Sequence, residues 1–157
     1  MKICLLVIGK TNKPYVNDGM AVFEKRIKRY TNFEYRVIPD IKKAGSLSPI
    51  QLKEKEGEKL LATFGSNDYV VLLDEKGKQL TSVKFAEEIE KRQIAGTKQW
   101  FFVVGGAFGF SDAVYKRANA QLSLSKMTFS HQLIRLVFLE QLYRGFSILR
   151  NEPYHNE

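Results

Sequence analysis

The chain has one cysteine, two histidines, one tryptophan and four prolines in 157 residues. A lone cysteine excludes an internal disulfide, and the position of Cys4 inside an apolar run predicts a buried thiol. The histidines, His131 and His155, have no cysteine nearby and no acid at ligand spacing, so no zinc site is expected. No apolar stretch reaches the ~20 residues of a membrane span. The longest, Trp100–Phe110, is broken by three glycines. Ile3–Gly9 is apolar but short, meets Lys10 and lacks a small-residue cleavage pattern, so it reads as a strand and not as a signal peptide. Repeats, linkers and low-complexity tracts are also missing. These absences predict one cytoplasmic domain over residues 1–157, with no metal and no membrane attachment.

What is present is an ordinary globular composition, 44% hydrophobic and 27% charged, with a net charge of +8. The positive excess is uneven. Residues 1–60 hold 13 Lys+Arg against 7 Asp+Glu, residues 61–109 hold 6 against 6, and residues 110–157 hold 6 against 4. Charge alone divides evenly between a nucleic-acid partner and a plain solvated surface.

Apolar runs alternate with helical periodicity. Strands are expected at Ile3–Ile8, Phe33–Ile38, Tyr69–Leu73, Gln99–Val104 and Leu122–Leu124. Between them, Tyr15, Met20, Phe23, Ile27 and Tyr30 mark an amphipathic helix with a basic wet face at Lys25, Arg26, Lys28 and Arg29. Pro49 opens a helix over Ile50–Phe64 that Gly57 weakens without breaking. Ser82–Ala95 forms another, closed by Gly96, and Ser111 caps a short one reaching about Ala120. The last helix spans residues 132–149. Asp74–Lys78 reads as a tight polar turn, and the tail from Asn151 to Glu157 as extended. The alternation predicts an α/β fold with a parallel sheet.

In such sheets ligands bind beyond the carboxyl ends of strands, which directs attention to two breaks. Gly105-Gly106-Ala107-Phe108-Gly109 follows a strand and precedes a helix, where glycine permits sharp turns and close approach to a ligand. It is neither a dinucleotide fingerprint nor a P-loop, so a plain tight turn is an equal reading. Ser123, Ser125, Thr128 and Ser130 cluster in the second break. They suit either a polar ligand or the capping of their own turns. Arg144 and Glu140 are spaced for an ordinary helix ion pair, while Arg135 and Glu140 are not.

In combination these segments are more specific. Phe102–Gly109, Leu122–Thr128, His131, Arg135, Glu140–Arg144 and Pro153–His155 resemble the RlmH family of SPOUT-class methyltransferases of the large ribosomal subunit. Val7–Lys10, Lys55–Gly57 and Leu72–Asp74 extend the likeness over essentially the whole chain. The resemblance implies a parallel-sheet SPOUT fold with a C-terminal trefoil knot, a homodimer, and S-adenosylmethionine as cofactor. It further implies methylation of N3 of a pseudouridine in helix 69 of 23S rRNA, within the assembled ribosome. Carried over residue by residue, the cofactor positions are Leu73, Gly105, Gly106, Leu124, Ser125, Lys126, Met127, Thr128 and Phe129.

Such a reaction must align nitrogen, methyl and sulfur and stabilise charge developing on the base. The candidates are Arg135 or Arg144 for charge or phosphate, His155 or His131 for the proton, and Tyr154 for stacking on a flipped base. Two rival readings stand beside this one. The first is a ribosome-associated RNA-binding factor without catalysis; the second is a SPOUT methyltransferase acting on tRNA.

Overall fold

Side chains that alternate along the strands decide which helices cover which face of the sheet. In the computed structural model, which describes residues 1–156, the strands are β1 (Lys2–Ile8), β2 (Asn32–Ile38), β3 (Tyr69–Gln79), β4 (Gln99–Val104) and β5 (Ala120–Ser123). Their order is β2-β1-β4-β3-β5, with every neighbouring pair parallel. Ile3, Leu5 and Val7 of β1, with Trp100, Phe102 and Val104 of β4, point to one side. There they meet α1 (Pro14–Ile27), α3 (Ser82–Ile94) and α5 (Leu133–Leu149). Cys4, Leu6, Ile8, Phe101 and Val103 point to the other, against α2 (Pro49–Leu61) and α4 (Asp112–Arg117). Both faces are covered, which is why β1, β4 and the first half of β3 read as continuous apolar runs, whereas the edge strand β2 carries Glu34 and Arg36 in alternation. Cys4 is fully buried, and burial pushes its thiol up to about 12.

Local chemistry sets the helix ends. Ser48 and Gln51 form a reciprocal capping box on α2, while Thr81 and Ser111 cap α3 and α4 through their side-chain oxygens. Gly96, at φ +69°, takes the left-handed conformation just after α3. Gly57 is built into α2 because a Cβ there would lie 2.4 Å from Ser111 Oγ, so glycine lets α2 close on the start of α4.

Three expectations are corrected. Asp74–Lys78 is not a tight turn. β3 continues through it, shifts register between Leu73 and Lys78, and pairs again with Leu122 and Ser123 of β5. The polar composition that suggests a turn belongs instead to a strand extension whose residues are mostly exposed. Gly77 is needed there, since a Cβ would sit 2.6 Å from the backbone nitrogen of Leu122. Next, α4 stops at Arg117, because Asn119 is drawn into the sheet. Its N–H donates to Val70 O, and its Oδ1 accepts from Val70 N, both at 2.8 Å.

Finally, the tail is turned, not extended. Asn151 is at φ 53°, and Tyr154 N–H donates to Glu152 O at 2.8 Å. Glu157, part of that expected stretch, lies outside the described residues. Tyr30 also falls beyond its helix, yet it is anchored: its ring stacks on Phe146 at 5.4 Å and its hydroxyl donates to Glu152. Among the described residues no helix is long and apolar enough to cross a membrane.

Candidate functional site

Leu73 pairs in register with Val104, the last residue of β4, on one side and with Leu122 of β5 on the other. The chain leaves β4 through Gly105 and Gly106 and turns at once, with Gly109 N–H donating to Gly106 O at 3.1 Å and Gly109 at φ +82°. Neither of the first two glycines has room for a side chain. A Cβ on Gly105 would lie 3.1 Å from the Phe110 ring, and one on Gly106 would lie 2.6 Å from both carboxyl oxygens of Glu56.

The loop after β5 is shaped by its own hydroxyls. Ser123 Oγ donates to Ser125 O at 2.8 Å, Ser125 Oγ accepts from Met127 N at 2.9 Å, and Ser130 Oγ accepts from Leu133 N at 3.1 Å. The same hydroxyl residues also line the space between the two loops.

Between the loops lies a cavity of about 570 Å³, within the usual size range of small-molecule sites. Leu73, Gly105, Gly106, Leu124, Ser125, Met127, Thr128, Phe129 and His131 all line it, whereas Lys126 does not. Phe108 and Met127, which line the cavity, are 53% and 78% exposed.

The remaining candidates lie elsewhere. Arg144, Tyr154 and His155 gather further along α5, around Glu140 near its middle. Glu140 Oε1 accepts from Arg144 Nη2 at 2.5 Å, from Arg144 Nε at 3.1 Å and from Tyr154 OH at 3.0 Å. The Arg144 guanidinium lies 4.7 Å from the Tyr154 ring centroid, and its Nη1 is 3.3 Å from His155 Nδ1. Arginine only donates, so Nδ1 accepts and the ring proton sits on Nε2. Burial raises the Tyr154 phenol above its ordinary value, and its bond to Glu140 raises it further. Arg26 of α1 stacks 5.3 Å over Tyr143, which packs against Tyr154.

Arg135, expected to stabilise charge or hold phosphate, is 0% exposed, and each of its three guanidinium nitrogens donates to the protein. It donates to the carbonyls of His131, Ile8 and Gly9, to Thr11 Oγ1 and to Tyr35 OH, all within 3.3 Å. It clasps the start of α5 to the end of β1.

The profile of a family described as "Predicted SPOUT methyltransferase" matches residues 1–155. The chain belongs to the SPOUT methyltransferase family. Ribosomal RNA large subunit methyltransferase H of Parabacteroides distasonis is 54% identical over 157 residues, covering 100% of both chains. The proteins of the same name from Christiangramia forsetii and Flavobacterium johnsoniae are 52% identical over 156 residues and 50% identical over 157, covering 99% and 100% of both chains. Among solved structures, the SpoU methyltransferase AviRb from Streptomyces viridochromogenes, in complex with AdoMet, covers 92% of this chain and 59% of its own at 11% identity and a TM-score of 0.41.

For a SPOUT methyltransferase, several pocket residues carry no clear signal in the sequence. Asp74, Glu75 and Tyr115 line the cavity, with Tyr115 OH donating to Asp74 Oδ2. Glu56 backs the glycine loop from α2, 7% exposed, its carboxyl raised chiefly by burial and then by Asp40. The available signal for Asp74 and Glu75 is their position directly after an apolar strand. Once the segment is read as a turn, that position carries no direction.

Proposed function

We propose that the protein is an S-adenosylmethionine-dependent methyltransferase that methylates N3 of a pseudouridine in helix 69 of 23S rRNA. It acts as one domain over residues 1–157, as a homodimer, on the assembled ribosome in the cytoplasm. The observation that carries this reading is full-length identity of about half to relatives named as large-subunit rRNA methyltransferases. The C-terminal trefoil knot belongs to the same reading.

The cavity fits the cofactor on this structure's own terms. Gly105 and Gly106 turn the chain at the cavity wall, Leu73, Leu124 and Phe129 offer apolar walls for an adenine, and Ser125 and Thr128 offer hydroxyls. When bound, the group supplies a methyl already activated by a positive sulfonium. The protein's remaining tasks are to orient the base and to ease loss of its N3 proton. Tyr154 provides a ring for stacking. With its proton on Nε2, His155 as held by Arg144 is a hydrogen-bond donor toward charge developing on the base, and not a proton acceptor. His131, at the cavity, remains the candidate for relaying the proton.

Ile134 lines the cavity, while Arg144 lies ten residues further along α5, about 15 Å at the rise of an α-helix. One protomer therefore separates the cofactor cavity from the Arg144–Tyr154–His155 cluster. That separation favours a homodimer in which the tail of one protomer meets the cavity of its partner.

The basic end of α1 and the turn that follows it supply the phosphate contacts. Lys25, Lys28 and Arg29 are exposed, although Lys28 also pairs with Glu24, and Arg26 is stacked on rings instead. The triple change Lys25→Gln, Lys28→Gln, Arg29→Gln is expected to weaken ribosome binding. It should also flatten the logarithmic salt dependence by about 0.7–0.9 for each phosphate that is no longer neutralised. Arg26 is left intact so that the tail stays packed. An unchanged slope would remove α1 from RNA binding.

The deciding experiment is methyl transfer from labelled S-adenosylmethionine to ribosomes lacking native methylation, with the modified nucleotide mapped. Label on the helix 69 pseudouridine supports the whole reading. Cofactor binding with label on tRNA alone moves the target, and absence of cofactor binding favours the non-catalytic RNA-binding factor.

A further inference from the structure

We infer that Glu75, on the extension of β3, gives the pocket its preference for the cationic cofactor over the neutral thioether product. The inference rests on the methyltransferase reading above. Transfer breaks the S–CH3 bond with its electron pair left on sulfur, so the bound group loses one positive charge. Its ammonium and carboxylate are the same before and after. Besides contacts to the methyl itself, discrimination between cofactor and product can come from what the wall presents to that single charge.

The wall presents two adjacent acids, because β3 does not end at Leu73 but carries Asp74, Glu75 and Lys76 along the cavity. Asp74 is tied into the framework. Its Oδ1 accepts from Lys76 N at 2.8 Å and its Oδ2 from Tyr115 OH, so it holds the bend of the extension and the start of α4 in place. Glu75 is used differently. It is exposed, and one oxygen accepts from Thr128 Oγ1 at 3.0 Å across the cavity mouth.

That bond joins the β3 extension to the loop after β5, and so fixes a carboxylate over the space between them. The field of Glu75 also reaches inward. It adds to the raising of the Tyr115 phenol, after burial, the bond to Asp74, and the charges of Asp74 and Asp112. Lys76 lines the same wall.

Glu75→Gln separates charge from shape, since the amide oxygen still accepts from Thr128. Calorimetric titration with S-adenosylmethionine, S-adenosylhomocysteine and sinefungin, whose amine places a positive charge near the sulfonium position, reads the ratio directly. The substitution is expected to weaken the two cationic ligands about fivefold at low salt and to leave S-adenosylhomocysteine within about twofold. High salt should erase the difference.

Equal weakening of all three ligands would mean that Glu75 only holds the loop, and no change in any would mean that its charge is not felt. Either result overturns the inference while leaving the methyltransferase reading intact. If the unaltered protein bound none of the three, the reading itself would fail, and the inference with it.

Discussion

Replacing Arg135 with methionine is expected to cost about 3–5 kcal/mol of folding free energy. In a chain of this length that corresponds to a fall of roughly 10 °C in Tm. The side chain is 0% exposed and donates to five acceptors from four places in the chain: the turn before α5, the end of β1, Thr11 and Tyr35. β1 pairs with β4 only as far as Val7, so the carbonyls of Ile8 and Gly9 lie past the end of that ladder. Methionine preserves much of the volume but leaves these carbonyls buried without donors, and an unmet buried acceptor costs more than a hydrogen bond yields. Arg135→Lys should recover only part of the loss, because one ammonium cannot reach along the path of a branched guanidinium. Denaturant and thermal unfolding of the three proteins tests this. A methionine variant within 1 °C of the original would mean that the clasp contributes nothing to stability.

The burial of Arg135 is legible in its neighbours, although its residue type points to a substrate contact. The residue stands in Leu133-Ile134-Arg135-Leu136-Val137-Phe138-Leu139, and a helix segment apolar on all sides is a buried one. An arginine inside it must have its donors met by protein. The central strands are easier to read, because a sheet covered on both faces demands continuous apolar runs, and those of β1, β3 and β4 stand out from their surroundings. Asp74–Lys78 misleads because local polarity records exposure, whereas strand continuation depends on β5, some fifty residues later in the chain. The turned tail is hidden for the same reason. Tyr154 and His155 are held by Glu140 and Arg144, and no short window of sequence contains both sides of those contacts. The two loops that line the cavity are marked by their glycines and hydroxyls, since the chemistry that bends a chain is local. Their meeting in space is not, and it follows from β3, β4 and β5 being neighbours in the sheet.

Glu140→Ala is expected to lower the single-turnover rate of methyl transfer about 100-fold while leaving cofactor affinity unchanged. The carboxylate is the hub of the tail cluster. It takes two bonds from Arg144, one from Tyr154 and, through its second oxygen, one from Gln141 Nε2 at 2.8 Å. An i,i+4 pair on an exposed helix is worth only ~0.3–0.5 kcal/mol, so the pair alone would not justify a large effect. The consequence lies in what the hub aligns. With the carboxylate gone, Tyr154 loses its acceptor and Arg144 is no longer aimed at both His155 and the Tyr154 ring. A displacement of about 1 Å in groups that orient a reacting base is enough for a loss of about 10²-fold. Glu140→Gln keeps an acceptor for Tyr154 but not the charge facing Arg144, and should fall between the two. Because Glu140 is a positioning residue, the rate must be read together with the tail. Hydrogen exchange across residues 151–156 should quicken in the alanine variant, while its isotherm for S-adenosylmethionine should overlay that of the unaltered protein, the cavity being at the other end of α5. A full rate with a loosened tail would show that the cluster is structural only. A reduced rate together with weakened cofactor binding would place the damage in the pocket, and the division of labour along α5 would have to be abandoned.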